Sequence, residues 1–252
     1  MKVPFLDLKL INDGYTQDFK DLFERFLSSG RYILGSEVEQ FEKDFSNYCG
    51  TKSCIGVANG LDALKIVLMA WKELGIVTSG DEVIVPSNTF IASVLAIIDA
   101  GLKPVLVEPK IDSFTIDSLD IEKAITRKTR IVMAVHLYGK LGTIDEISKL
   151  CKSHNLLLLE DAAQSHGAQK AGKMSGSFGD ISTFSFFGNK TITSGEGGMV
   201  LTDCSKLHSR INILKNQGNS PDRKYFHSIL GYNYRMTNIQ AAIGLAQFEQ
   251  LN

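Results

Sequence analysis

The chain has 252 residues, with 27 Lys+Arg against 28 Asp+Glu, a formal net charge of -1, and 44% apolar and 22% charged residues. That balance suits a water-soluble globular protein with a large core and gives no bulk attraction to nucleic acid or an anionic membrane. No apolar run is long enough to span a bilayer, and the opening "MKVPFLDLKLINDGY" is broken by Asp7 and Lys9, unlike a secretory signal.

In chain order, residues 1–35 are expected to form a helical N-terminal segment. "CIGVAN" (54–59), "EVIVP" (82–86), "KPVLVEP" (103–109), "RIVMAVH" (130–136), "LLLLED" (156–161) and "ISTFSFF" (181–187) then read as strands. They lack strict polar alternation, as strands covered on both faces do. After Gly60, Leu61, Leu64, Val67, Leu68 and Trp71 share one helical face. "TIDEISKLCKSH" (143–154) opens with Thr143 and Glu146 at the spacing of a capping box. The alternation predicts an α/β fold, a mostly parallel sheet with helices on both faces. Cys49, Cys54, Cys151 and Cys204 have neither CxxC spacing nor the density of a disulfide scaffold, so reduced thiols and a cytoplasmic setting are expected. No metal site is expected.

Open α/β sheets bind ligands beyond the carboxyl ends of their strands, which directs attention to four short stretches. Gly60-Leu61-Asp62 follows the first strand and opens a helix, where free N–H groups and the positive dipole end suit a phosphate; an ordinary βα turn reads the same way. Phe90 in "SNTFIAS" is placed to stack on a planar ligand or to enter the core. Glu160 and Asp161 follow a run of four leucines. A carboxylate there needs a partner, either a protonated ring nitrogen or the backbone of a following helix, with Gln164 as a second donor or the end of a capping box. Lys190 follows an apolar strand and lies among glycines. An apolar pocket lowers a lysine's pKa and favours the neutral amine that attacks a carbonyl; an idle surface lysine is the alternative. Ser185 adds a hydroxyl for a phosphate.

Together these residues offer a phosphate cup, a stacking ring, an acid for a ring nitrogen and an amine for an aldehyde, a set that matches pyridoxal 5'-phosphate (PLP). The chain lacks a GxGxxG after its first strand, against a Rossmann NAD enzyme, and shows neither a helix-turn-helix nor a basic patch for DNA.

"NGLDALKIVL", "VPSNTFIAS", "AVHLYGK", "LEDAAQSHGA", "FSFFGNKTITSGEGGMV" and "GYNYRMTNIQAAIGLAQ" resemble, in that order, the DegT/DnrJ/EryC1/StrS sugar aminotransferases. The resemblance runs from about "VPFLDL" to the last residue. It implies the fold type I large domain of the aspartate aminotransferase architecture over 1–252. Residues 236–252 would start the helix that leads to a small C-terminal domain lying outside this chain. It further implies that Lys190 carries the cofactor, Asp161 meets the pyridine nitrogen and Gln164 the ring hydroxyl. Gly60, Leu61 and Ser185 would hold the phosphate and Phe90 would stack on the ring. Asn233 would reach the phosphate from the neighbouring subunit of a homodimer, and Arg235 would meet anionic substrate groups.

Family members move an amino group from glutamate to nucleotide-linked 3-keto or 4-keto 6-deoxysugars, in pathways such as O-antigen synthesis. "GNKTITSGEGG" and "GYNYRMTNIQAAIG" are similar to perosamine-synthase-like enzymes that aminate C4, and this is the favoured expectation. "VPFLDLKLINDGY" and "GRYILGSEVEQFEKDF" are more similar to C3-aminating members. A dehydratase branch carries histidine where this chain has Lys190, so the lysine points to transamination. A PLP-binding fragment or regulator without turnover is the alternative from another class.

Overall fold

The computed structural model describes residues 3–223 and 225–251. Helices α1 (Leu8–Asp13), α2 (Thr16–Ser29) and α3 (Ser36–Cys49) lead into β1 (Ser53–Val57), α4 (Gly60–Glu73), β2 (Glu82–Pro86), α5 (Ile91–Asp99) and β3 (Lys103–Val107). Then come α6 (Ser118–Ala124), β4 (Thr129–Val135), a single 3-10 turn at Leu137–Gly139, α7 (Ile144–Ser153) and β5 (Leu157–Asp161). A two-residue hairpin, β6 (Gln169–Lys170) with β7 (Lys173–Met174), precedes β8 (Ile181–Ser185), β9 (Gly198–Thr202), α8 (Ser205–Lys215) and α9 (Asn238–Phe248).

Seven strands form one sheet in the order β1-β9-β8-β5-β4-β2-β3. The pairs from β8 to β3 are parallel, while β9 runs antiparallel to both β1 and β8. The sheet is therefore mixed and mostly parallel, and each predicted strand is present in it. β9 was not anticipated.

Side chains split by the period of two expected of a pleated sheet. Val83, Val85, Ile131, Met133 and Leu159 pack with α4, α5 and α8 on one face. Ile84, Val132, Ala134 and Leu158 pack with α6 and α7 on the other. A third cluster joins Phe41 and Phe45 of α3 to Phe184, Met199 and Ala241. Both faces are covered, and alternation disappears from the sequence for that reason. β3 departs from the pattern: it ends the sheet, and only Val107 of its residues is buried. Burying each large apolar side chain stabilises the fold by roughly 1.5–3 kcal/mol.

The other sheet edge is closed by side chains. Gly56 N–H of β1 donates to Glu42 Oε1 at 2.6 Å, and Lys215 Nζ donates to Gly56 O at 3.0 Å and sits 3.3 Å from the same Glu42 oxygen. An edge strand otherwise offers unpaired groups to other chains.

The capping box expected at Thr143 does not form. Thr143 is the N-cap of α7, yet its hydroxyl accepts no backbone bond and is buried without a partner among the described residues. The reciprocal box stands at α9 instead, between Thr237 and Gln240. Cys49, Cys54 and Cys151 are buried free thiols and Cys204 is exposed. Among the described residues no helix is long and apolar enough to cross a membrane.

Candidate active site

The carboxyl ends of β1, β2, β4, β5 and β8 converge on a cavity of about 660 Å³. Gly60, Leu61, Phe90, Asp161, Gln164, Ser185 and Lys190 all line it, joined by Thr89, His136 and Glu196. Residues separated by more than a hundred positions meet here because each ends a strand of the same sheet.

The floor at β1 is a helix N-terminus. Asn59 caps α4, its Oδ1 accepting from Asp62 N at 2.9 Å while its Nδ2 donates to Asp62 Oδ2 at 2.8 Å. Burial raises the Asp62 pKa, against the lowering effect of Asn59. Among the described residues the amides of Gly60 and Leu61 have no protein acceptor, so they are free for an anion. Ser185 closes this cradle: a Cβ added at Gly60 would lie 2.6 Å from Ser185 Cβ and 2.9 Å from its Oγ. Only glycine lets the two approach.

Phe90 is 68% exposed, with its ring at the cavity, so it is not the core phenylalanine the sequence also allowed. Asp161 ends β5 and is buried, and no helix follows it, so it is not a helix cap. Its Oδ1 accepts from Ala163 N at 3.2 Å and its Oδ2 from Ser93 Oγ at 2.7 Å. Gln164 Oε1 accepts from Tyr138 N at 3.1 Å, which leaves the Gln164 amide N–H groups as donors.

Lys190 lies half-buried in the turn after β8, its backbone N–H donating to Phe187 O at 2.9 Å. Among the described residues its Nζ has no hydrogen bond or ion pair. Burial lowers its pKa, with the Asp161 carboxylate pulling the other way. A lysine disposed this way holds more of the neutral, nucleophilic amine than a solvated one. The glycines around it differ in role. A Cβ at Gly188 would meet nothing within 4 Å, whereas one at Gly198 would lie 2.4 Å from the Asn59 carbonyl oxygen. Close approach is a property of Gly198, at the start of β9, and not of the glycine beside the lysine.

The roles of three groups were not read from the sequence. Ser93 holds Asp161. His136 lines the cavity and its Nε2 lies 2.8 Å from Glu160 Oε2. Glu160 is fully buried and accepts from the amides of Gly176, Phe178 and Gly179 at 3.0, 2.6 and 2.7 Å, anchoring that loop under β5. The "ED" pair ending a leucine run marked a special strand end, but alternation would send its two carboxylates to opposite faces, and only Asp161 reaches the cavity.

Asn233 and Arg235 do not line the cavity of their own chain. Asn233 is exposed, and Arg235 donates to Asn233 Oδ1 at 2.7 and 3.0 Å and to Asn216 Oδ1 at 3.1 Å.

The DegT/DnrJ/EryC1/StrS aminotransferase family model matches residues 14–252. The chain belongs to this family. The family chain is 48% identical over 242 residues to the dTDP-3-amino-3,6-dideoxy-alpha-D-galactopyranose transaminase of Aneurinibacillus thermoaerophilus, covering 96% of this chain and 65% of that protein. It is 49% identical over 225 residues to the GDP-perosamine synthase of Caulobacter vibrioides, covering 89% and 58%. Among solved structures, S. venezuelae DesV in complex with a ketimine intermediate superposes with a TM-score of 0.92 at 42% identity, covering 99% of this chain and 66% of that one. The family chain thus spans less than two thirds of the length of these relatives.

Proposed function

We propose that residues 1–252 form the PLP-binding large domain of an aminotransferase that moves an amino group from glutamate to a nucleotide-linked 4-keto-6-deoxysugar. The observation that carries this is one cavity holding an unpartnered lysine amine of lowered pKa, a pinned carboxylate and an anion cradle. The fit to PLP is chemical: free amides at the start of α4 and the Ser185 hydroxyl suit its phosphate, and the Gly60–Ser185 approach leaves the cradle unfilled. When bound, PLP supplies an electron-withdrawing ring that stabilises negative charge left on a carbon losing a proton.

The chain's own residues do the rest. Lys190 Nζ would hold the cofactor and, as a free amine, would take and return the proton as general base and acid. Asp161 keeps the ring nitrogen protonated. Gln164 donates to the ring hydroxyl, its orientation set by Tyr138 N–H. Phe90 covers a ring face. A homodimer in which Asn233 of each subunit reaches its partner's phosphate is part of the proposal. So are Arg235 as a contact for anionic substrate groups, a small domain beyond this chain, a cytoplasmic setting and a role in surface-polysaccharide sugar synthesis. Amination at C3 is the second reading, favoured by the likeness to the Aneurinibacillus transaminase.

The test is an absorption spectrum of the chain with PLP, before and after glutamate, beside Lys190→Ala. A visible band that glutamate bleaches, and that the variant never develops, supports the proposal. A band indifferent to glutamate would reduce the chain to a cofactor binder, and no band would remove PLP altogether.

A further inference from the structure

Asp161 is held by a chain of hydroxyls that starts beside Phe90. Thr89 Oγ1 and Ser93 Oγ lie 2.7 Å apart, and Ser93 Oγ lies 2.7 Å from Asp161 Oδ2. Ser93 is completely buried. An ionised carboxylate only accepts, so the single Ser93 proton points to Asp161. Thr89 must then donate to Ser93, and the direction of the whole relay is fixed: Thr89 to Ser93 to Asp161. Ser93, in the first turn of α5, gives its proton to the end of β5, on a residue 68 positions away.

The two carboxylate oxygens are restrained by different elements. Oδ2 is bound from α5 through Ser93, and Oδ1 from the turn after β5 through Ala163 N–H. Two donors from independent elements fix the plane of the carboxylate as well as its position, and each oxygen keeps acceptor capacity for the cavity. The stretch 89–93 also carries Phe90, whose ring faces the same cavity. One helix start thus registers both the stacking ring and the acid.

Resting on the PLP reading above, we infer that Ser93, backed by Thr89, is a positioning residue that sets the Asp161 carboxylate for its cofactor contact. Ser93→Ala removes the donor and leaves Asp161 restrained on one side. PLP affinity should fall roughly tenfold or more, the scale of a lost hydrogen bond to a charged group, and the visible band of the bound cofactor should shift. Thr89→Val, which removes only the backing donor, should move both readouts the same way by less. Ser93→Thr, which keeps the hydroxyl, should restore them. In an Asp161→Asn background, Ser93→Ala should add nothing, because the two residues act as a unit.

PLP affinity and spectrum unchanged in Ser93→Ala, with the wild-type chain binding normally, would overturn this inference and leave the PLP reading standing. A wild-type chain that does not bind PLP would overturn both. If Ser93→Ala does not fold, Thr89→Val decides on the same readouts.

Discussion

Replacing His166 with phenylalanine should make the protein less sensitive to acid. His166 is buried against Phe45, Phe184 and Phe186, with centroid distances of 5.2–6.4 Å, and among the described residues neither ring nitrogen has a hydrogen-bond partner. Burial is the main reason its pKa is lowered to about 3 from 6.5, with the nearby Lys190 charge adding to the effect. The backbone at Ser185 favours the charged ring, but no bond to it is formed.

The sign follows from proton counting. Between pH 6.5 and about 3 the unfolded chain binds a proton at this residue and the folded chain does not, so stability falls as pH falls through that window. At about pH 5 the unfolded state gains 1.5 pH units of protonation, or about 2 kcal/mol at 1.36 kcal/mol per unit. Urea unfolding of the wild-type and His166→Phe chains at about pH 7.5 and about pH 5 isolates this group, because all other titrations are common to both. The wild type should lose about 2 kcal/mol more than the variant between the two conditions. Equal losses would mean that His166 is solvated or partnered in solution, and the reasoning would fail.

Gly60→Ala should weaken PLP binding at least tenfold in a cofactor titration, since its Cβ would lie 2.6 Å from Ser185 Cβ, while Gly188→Ala, whose Cβ meets nothing within 4 Å, should bind like wild type. The reverse ranking would refute the cradle. Glu160→Gln exchanges one acceptor oxygen for a donor among three backbone amides and His136. A stability loss of about 3 kcal/mol is expected from denaturant unfolding, with faster hydrogen exchange at Gly176, Phe178 and Gly179; wild-type exchange there would show that Glu160 does not anchor the loop.

The strands were legible because a sheet covered on both faces writes itself as short apolar runs, and "EVIVP" matches β2 residue for residue. β9 was harder to see. "GMVLT" follows a glycine cluster, and nothing local tells that it inserts between β1 and β8. The strand ends Gly60, Phe90, Asp161, Ser185 and Lys190 were legible as exceptions: a glycine, an aromatic, an acid, a hydroxyl and a lysine where apolar runs stop. Their choice between ligand and structural roles was decided by tertiary facts, such as the exposure of Phe90 and the missing helix after Asp161. Ser93 and Glu42 were invisible because each acts on a residue from another element. Thr143 shows the opposite failure, a correct spacing whose hydroxyl makes no bond to the helix end.

The reversal of β9 has a mechanical consequence for the lysine. β8 and β9 are consecutive in sequence and paired from Ile181↔Thr202 to Ser185↔Gly198. The segment 186–197 therefore leaves the sheet and returns to it at the same edge of the cavity. The segments that follow β1 and β2 instead run through whole helices, α4 and α5, before they rejoin the sheet at β2 and β3. The lysine sits in a short span between two strands that pair with each other. A shift of α4 or α5 would tilt the cradle or the stacking ring while the amine stayed registered to the sheet. Amine placement should be the last feature of this cavity to drift as the surrounding helices diverge.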